Sequence, residues 1–531
     1  MGFWAKSLRI FNLLCDNGKQ SVRDIARKTG FSKSSVHRLE QAMERRNCHP
    51  ESWFWETEEG RSWVIRLVVA TLYTFGLKRG VGAETISEFF SRLRLGTHAG
   101  CSPSALRGVM QRLEEVIVEI GRSWQEEGVR GGEVRPVIGA VDETFFERMM
   151  LVFMDLVSGY LLFEEVAEDR TYATWQALVE TRLEALGVGV LYLVSDRAKA
   201  LIKLAETGLE CLSIPDLFHF IHELVKSYSL AIFGRLRQAR QALSQAQEYL
   251  TKCQAANASG TQTWQAQAVV AASEAEVERW ENVGNAYRHH LLTLSMIMHP
   301  WRIFDSTRQT SEEVECQLRA EIDTIEELIE TNGLPIKKKA LDKVRKQLTG
   351  LAALVDFWWQ GVWQDLQQVT LTPMWTSWVE ELLLPLMYWQ EQVSRTRCPR
   401  RKAKLLQALE AVQAAFDRHP ITKQLAPDVL ESWKAWAAAQ AKAFQRASSA
   451  VEGRNGYLSG MHHNHRGLPK GRYKVWTVLH NFDCRASDGT TPAARFFRRG
   501  FPDLFETVLD KIEDLDLPRP RQRNRTMALS A

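Results

Sequence analysis

The sequence lacks the features that would mark a membrane or secreted protein. No uninterrupted apolar run reaches about 18 residues, which argues against a membrane-spanning helix. The first residues, MGFWAKSLRIFNLL, contain no small-residue cleavage site of the kind that ends a secretory signal. The eight cysteines are scattered singly, without zinc-ligand or C-x-x-C spacing. We therefore expect a soluble cytoplasmic protein with reduced thiols and no membrane partner.

A large excess of one charge is also missing. The chain has 68 Lys and Arg residues against 64 Asp and Glu residues, a formal net charge of +4. This overall balance does not indicate a nucleic-acid binder, so local clusters have to carry that argument. The length of 531 residues allows several domains.

The first fifty residues contain two short helical patterns separated by a glycine. Apolar residues recur at helical spacing on both sides of Gly30, and Ser32 can cap the second helix. This arrangement predicts a helix-turn-helix. The second helix would present these side chains to DNA: Lys33, Ser34, Ser35 and Arg38. The alternative is a small helical hairpin with a solvated basic face.

A different pattern begins after about residue 130. Three short apolar runs, 137–141, 149–156 and 160–166, are joined by tight turns and predict an antiparallel meander. A helical pattern follows, then the run 190–194, which is typical of a buried strand, then a short helix and a weak strand at 211–214. The order β-β-β-α-β-α-β is that of a ribonuclease-H-like half-fold.

Three acidic residues are placed where they could meet. Asp142 directly follows the first apolar run, Asp196 follows the run 190–194, and Glu452 lies in a predicted helix far downstream. Carboxylates at neighbouring strand ends can converge with one from a packed helix, and such oxygens hold Mg²⁺ for in-line phosphoryl displacement. The alternatives are a helix-capping role for each aspartate and a surface position for Glu452.

The segments that surround these carboxylates contain longer motifs. They are VDETFF, then SDRAKALIKLAETGLECLSIPDLFHFIHELVK, then SSAVEGRNGYLSGMHHNHRGLPKGRYKVWTVLHNFDCRASDGTTPAARFF. Together they resemble bacterial insertion-sequence transposases of the DDE class. The resemblance implies a ribonuclease-H-like catalytic domain, two divalent ions (Mg²⁺ or Mn²⁺), and cleavage of transposon ends followed by joining to target DNA.

Matched by motif, Asp142, Asp196 and Glu452 take the places of the three catalytic, metal-binding carboxylates of this family. Asp216, in PDLFH, is a rival second ligand. The tyrosine–arginine–glutamate–lysine signature of some relatives is absent around Glu452, so the hairpin chemistry of that subgroup does not follow.

Basic and histidine-rich stretches supply candidate DNA contacts. Those near Glu452 are Arg454, His462, His463, His465, Arg466, Lys470 and Arg472, with a structural polar loop as the alternative. The stretches 337–347 and 395–404 are either phosphate contacts or solvated helix faces. His219 and His222 share one helix face, and we interpret them as core or helix-capping histidines.

The predicted fold class is an α/β ribonuclease-H-like core interrupted by a large all-α insertion, with an N-terminal helix-turn-helix. The predicted segments are a helix-turn-helix (1–50), a helical region (51–130), the first catalytic part (131–230), the insertion (231–440), the second catalytic part (441–510) and a basic tail (511–531).

The sequence thus predicts a transposase that acts in the nucleoid on double-stranded DNA, both transposon ends and target. A homodimer is expected, because two ends must be joined. A non-cutting DNA-binding regulator on the same scaffold is the first alternative. A structure-specific nuclease is the second, but it leaves the helix-turn-helix and the insertion without a role.

Overall fold

A computed structural model describes residues 3–18, 20–130, 134–146, 148–465, 471–512 and 515. Its N-terminal part is helical. The helices are α1 (Phe3–Asn17), α2 (Val22–Thr29), α3 (Lys33–Arg46), α4 (Glu58–Thr71), α5 (Ala83–Arg92) and α6 (Pro103–Val129). Shorter helical turns occupy Pro50–Glu56, Leu72–Leu77 and Leu95–Thr97.

Helices α2 and α3 form the predicted helix-turn-helix. Ser32 caps α3, its hydroxyl accepting a hydrogen bond from the Ser35 amide at 3.2 Å. Gly30 ends α2 with φ of 76°, a left-handed conformation that glycine adopts at little cost. The motif has a small hydrophobic core of its own, formed by Ile10, Ile25, Val36, Leu39 and Met43.

The middle of the chain contains one five-stranded mixed sheet. Its strands are β1 (Arg135–Phe146), β2 (Arg148–Asp155), β3 (Leu161–Ala167), β4 (Val188–Ser195) and β5 (Leu212–Pro215). The spatial order is β3-β2-β1-β4-β5. Strand β2 runs antiparallel to its neighbours β1 and β3, while β4 runs parallel to β1 and β5 runs parallel to β4. Helix α7 (Tyr172–Leu186) connects β3 to β4, and α8 (Lys199–Lys203) lies between β4 and β5. This order of elements agrees with the sequence prediction.

Strand β1 is longer than its apolar run. Its parallel pairing with β4 ends at Ala140 and Val194, but its antiparallel pairing with β2 continues to Phe146. Asp142 therefore lies within the strand, opposite Val152, and not at the strand end that the sequence predicted. The reason is that backbone hydrogen bonds to β2 hold the strand together whether or not its side chains are apolar. Strand β4 is also less enclosed than predicted, since Leu191 is exposed.

The chain from 217 to 443 is helical. Its helices are α9 (Leu217–Ala255), α10 (Gly260–Ile297), α11 (Ser311–Thr331), α12 (Lys338–Arg345), α13 (Leu348–Leu366), α14 (Pro373–Trp378), α15 (Leu384–Arg395), α16 (Pro399–Arg418), α17 (Pro420–Gln424) and α18 (Pro427–Ala443). Helices α9 and α10 pack along each other as a long hairpin. Buried aromatic rings, among them Trp301, Trp358, Trp359 and Tyr388, fill the core of this region. The predicted all-α character agrees with these helices, but α9 begins at Leu217, before residue 231.

Four helices end the described chain. They are α19 (Ser449–His465), α20 (Arg472–Phe482), α21 (Pro492–Phe497) and α22 (Leu504–Asp510). Helix α19 packs on β1 and β2, and α20 packs on β3 and α6. One hydrophobic core runs from Val64 to Leu515 and joins the N-terminal helices, the sheet and the long helical region.

Two further predictions, the basic tail and the absence of a membrane-spanning helix, can be compared with the structure only over the described residues. The basic tail 511–531 lies outside them except for residues 511, 512 and 515. In the part of the chain that the structure describes, no helix has both the length and the apolar character needed to cross a membrane.

Candidate active site

Asp142 is held beneath helix α19 by two hydrogen bonds. One carboxylate oxygen, Oδ1, accepts from the backbone amide of Glu143 at 2.9 Å. The other, Oδ2, accepts from the side-chain amide of Asn455 at 2.7 Å. Asn455 lies three residues after Glu452 on α19, so the same turn of that helix carries both side chains toward β1. The helix thus joins the first and third predicted carboxylates.

The pKa of Asp142 is raised to about 7. Burial is the main cause, because it disfavours the ionised carboxylate, and the nearby charge of Glu452 adds to it. His219 acts in the opposite direction. Asp142 therefore exchanges its proton near neutral pH, a behaviour typical of a carboxyl group in a functional site.

His219 connects Glu452 to a third carboxylate. Its Nε2 lies 3.3 Å from Oε1 of Glu452, and its Nδ1 lies 3.1 Å from Oδ2 of Asp216. The hydrogen bond to Asp216 is the largest influence on the imidazole and, with the charges of Asp216, Glu452 and Asp142, raises the pKa of His219 to about 9 against the effect of burial. The ring is therefore protonated at neutral pH and bridges two carboxylates.

Asp216 is a structural anchor for this arrangement. It caps helix α9 by accepting from the Phe218 amide at 2.6 Å. Its other oxygen accepts from both the amide and the hydroxyl of Ser448, next to the first turn of α19. Burial acts to raise the pKa of Asp216, but hydrogen bonds from His219 and Ser448 outweigh it, and the pKa is lowered. With both oxygens engaged, Asp216 is poorly suited to be the rival metal ligand.

Asp196 follows β4 and lies at the same end of the sheet as Asp142. Parallel pairing ends at Ala140 and Val194, and each aspartate lies two residues further along its strand direction. The Asp196 carboxylate accepts from the Ala198 amide at 2.8 Å. After burial, its charge is the next cause of a raised pKa at Glu143. Asp196 is thus close to Glu143, whose side chain points to the other face of β1 from Asp142.

The site offers oxygen atoms to a hard cation. The buried side-chain oxygens Oδ1 of Asn455 and Oε1 of Glu143 have no hydrogen-bond partner among the described residues. The Asn455 oxygen, with the carboxylates of Asp142 and Glu452, forms a donor set of the type that Mg²⁺ prefers, whereas Glu143 lies on the other face of β1 beside Asp196. Within the described ranges, however, no three His, Cys, Asp or Glu side chains converge as a group that could hold a metal. The structure brings Asp142 and Glu452 together, and it leaves Asp196 beside Glu143.

Sequence reasoning missed three residues of this site. His219 was interpreted as a core or capping histidine, and its contact with Asp216 fits that role, but its contact with Glu452 does not. The spacing D-x-x-H at the start of a helix was the available indication. Asn455, three residues after Glu452, could also have been found from helical spacing. Glu143 could not have been found in this way. It is adjacent to Asp142 in the sequence, and only the alternation of side chains along β1 places the two on opposite faces.

The predicted DNA contacts on α3 face solvent. Lys33, Ser34 and Arg38 are exposed, and Ser35 is half-buried beside the capping Ser32. This is the orientation that a recognition helix requires.

Two predicted DNA contacts near Glu452 are paired with carboxylates in the structure, and for Arg454 this corrects the prediction. Arg454 is buried, and its guanidinium donates to both carboxylate oxygens of Glu164, at 2.6 and 2.7 Å. Arg472 is partly buried and pairs with Glu114. Each guanidinium is turned inward because a carboxylate far away in the sequence compensates its charge there. Arg454 is therefore not accessible to a DNA phosphate, whereas Arg472, which is only partly buried, stays a predicted contact.

The remaining histidines of this stretch differ in exposure. His462 is half-buried with its ring centroid 5.4 Å from that of Phe146, and His463 is exposed. The side chain of His465, together with Arg466 and Lys470, lies outside the described residues.

Comparisons with known proteins support the N-terminal assignment. Residues 5–47 match the IclR helix-turn-helix domain, so this chain carries a DNA-binding helix-turn-helix of that type at its N-terminus. Residues 379–526 match a family of unknown function, DUF6399, and this match includes Glu452 but neither Asp142 nor Asp196. Neither of these two families is described as a transposase family. No curated protein matches the chain.

Proposed function

We propose that this chain is a transposase of the DDE type, which cleaves transposon ends and joins them to target DNA. The observation that carries the proposal is the burial of Asp142 beside Glu452 under α19, which raises the pKa of Asp142 to about 7. Support also comes from the strand order β3-β2-β1-β4-β5, with three antiparallel strands followed by two parallel ones, as expected of a ribonuclease-H-like core. The helix-turn-helix supplies the DNA-binding part.

The donor set fits divalent ions of the Mg²⁺ or Mn²⁺ kind. Asp142 and Glu452 would hold them, with the Asn455 amide oxygen beside Asp142 and with Asp196 at the neighbouring strand end. Two such ions, when bound, supply activation of the attacking oxygen and stabilisation of the leaving one. A bound cation would add to the compensation that the His219 imidazolium gives Glu452, since two carboxylates close together repel each other.

The residues of the chain have distinct roles in this proposal. Asn455 orients the Asp142 carboxylate through its 2.7 Å hydrogen bond. His219 holds Glu452 in place through Asp216, and Asp216 in turn anchors the start of α19 at Ser448. Exposed residues of α3 hold the DNA. Two copies of the chain would act together, one on each transposon end.

The proposal is tested with the DNA that flanks the gene. Full-length protein is incubated with a duplex carrying the flanking repeats and Mg²⁺, and strand cleavage is measured for Asp142→Ala, Asp196→Ala and Glu452→Ala. We expect each variant to lose at least a hundred-fold in cleavage, about 3 kcal/mol of transition-state stabilisation. Glu431→Ala, an exposed acid on α18, is the matched control and should cleave normally. Full activity in the Asp142 or Glu452 variant would refute the proposal.

A DNA-binding regulator that does not cut is the second candidate. It is favoured by the absence, among the described residues, of a converged metal-binding group. Its expected behaviour is sequence-specific binding through α3 with no Mg²⁺-dependent nicking of any flanking DNA. The same cleavage assay therefore separates the two candidates.

A further inference from the structure

Five lysines line one groove between helices α9 and α12. They are Lys226, Lys337, Lys338, Lys339 and Lys343. All five are exposed. Lys343 pairs with Glu223 at 2.7 Å, and in the described chain no carboxylate pairs with the other four. Asp342, the one acidic residue of α12, is exposed. The groove therefore keeps a concentrated positive charge, which counterions from the solvent balance until a partner displaces them.

The groove begins next to the carboxylate site. Glu223 follows His219 by four residues on α9, a rise of about 6 Å along the helix axis. Helix α12 packs on α9, and α13, which follows it, packs on β5. The entry to α12 is also fixed, because the backbone amide of Lys337 donates to the Tyr228 hydroxyl at 3.1 Å. The lysines thus lie on a surface whose position is fixed by the packing of α12 on α9, and this surface extends away from Glu452.

An exposed aromatic pair lies in the first two turns of α9, which also carry His219. Phe218 is 49% exposed, and its ring stacks on that of His222 with centroids 5.8 Å apart and planes 14° apart. An exposed aromatic surface beside a row of cations suits nucleic acid, since bases stack on rings while phosphates contact lysines. An acidic peptide would use the lysines but would have no use for the rings.

We propose that this groove binds the phosphate backbone of the DNA segment that enters the carboxylate site, without reading its sequence. The inference deepens the proposed function and rests on it for the identity of the site, but the binding itself needs no catalysis. Lysine neutralisation of phosphates releases counterions, so removing one lysine that binds a phosphate lowers the logarithmic slope of binding against salt by about 0.9.

The test is a salt titration with the full-length protein. Binding to a 30-base-pair duplex of random sequence is measured in EDTA across a range of salt concentrations, for wild type and for Lys226→Gln/Lys338→Gln/Lys339→Gln. We expect the triple variant to lower the slope by about 2 to 3. The matched control, Lys252→Gln/Lys423→Gln/Lys511→Gln, removes three exposed lysines elsewhere and should leave the slope within about 0.5 of wild type.

An unchanged slope in the groove variant, or an equal change in the control, overturns the inference. The inference is also overturned if the groove variant loses binding to polyglutamate while the salt dependence of its DNA binding stays that of the wild type. The partner of the groove would then be an acidic peptide. Because binding is measured without metal, failure of the groove and failure of catalysis are distinguishable. A reduced slope without any wild-type cleavage would support the groove and refute the transposase.

Discussion

Two acidic clusters lie under the same helix and differ in how their charge is compensated. At Glu164 on β3, Arg454 donates two hydrogen bonds, and the Thr477 hydroxyl donates a third at 2.6 Å. At Asp142 on β1, the side-chain donor is the neutral Asn455, and the charge with the largest effect on the pKa of Asp142 is that of another carboxylate, Glu452. Both clusters face α19. We call the Glu164 cluster closed because an arginine compensates its carboxylate, and we call the Asp142 cluster open because the side chain that donates to its carboxylate is neutral.

The difference separates an acid that stabilises the fold from an acid that is available for chemistry. A buried carboxylate with a bidentate arginine has little reason to take a ligand. A buried carboxylate such as Asp142, whose pKa is raised beside a second carboxylate, has a reason to take a proton or a cation. Glu452 and Arg454 are two residues apart in one motif, so proximity in sequence does not decide which role a residue has.

The largest effect should come from opening the closed cluster. Arg454→Met leaves Glu164 buried without a counter-charge, and we expect a loss of about 3–5 kcal/mol of unfolding free energy, measured from the denaturant midpoint. Because this variant could fail to fold, Arg454→Met/Glu164→Leu is measured beside it. The double variant should recover most of the loss. A loss below about 1 kcal/mol in the single variant would contradict the description of this pair as closed.

The open cluster should respond in the opposite direction. Asp142→Asn keeps an acceptor for Asn455 and removes the charge. A raised pKa means that the folded state penalises the ionised form, so the penalty begins above the ordinary value of 3.8 and is complete above about 7. We expect the variant to gain about 1–2 kcal/mol at pH 8, a figure reduced for solvent screening, and little at pH 4.

The measurement is the denaturant midpoint in EDTA, with Glu431→Gln as the control. Destabilisation by Asp142→Asn at pH 8 would mean that the carboxylate is already compensated, and the two clusters would then not differ as described. A stabilised variant that no longer cleaves DNA would place Asp142 among residues kept for function at the expense of stability.

The comparison also shows what the sequence could reveal. The helix-turn-helix and the three-stranded meander were predictable because local spacing, caps and turns determine them. The inward turn of Arg454 was not, since Glu164 lies 290 residues away in the sequence. The bridge from Asp216 through His219 to Glu452 also joins distant segments. Local periodicity cannot show which of two neighbouring charged residues finds a buried partner.

A smaller effect on stability is expected at His219, which connects Glu452 on α19 to Asp216 at the start of α9. The pKa of His219 is raised to about 9, so its stabilising contribution is complete below the ordinary value of 6.5 and is lost as pH rises through 9. His219→Gln should therefore cost about 1 kcal/mol at pH 6, discounted for its exposure, and clearly less at pH 9.5. The denaturant midpoint at the two pH values checks this, with His222→Gln as the control. Equal costs at both would show that the imidazole acts by packing and not by charge.

The smallest effect should come from Asn455, the side chain that donates to Asp142. Asn455 donates to the ionised form of Asp142, so Asn455→Ala should raise the pKa of Asp142 further while changing stability by less than about 1 kcal/mol. The pKa is followed by carboxyl carbon chemical shift in EDTA, and Asn464→Ala, an exposed residue of the same helix, is the control. In the closed cluster, Thr477→Val removes an equivalent hydrogen bond to Glu164, but there both hydrogen bonds from Arg454 remain. If the Asp142 pKa instead falls when Asn455 is removed, the amide must present its oxygen and not its NH₂ group to the carboxyl group, and the open cluster would then lack its only side-chain donor among the described residues.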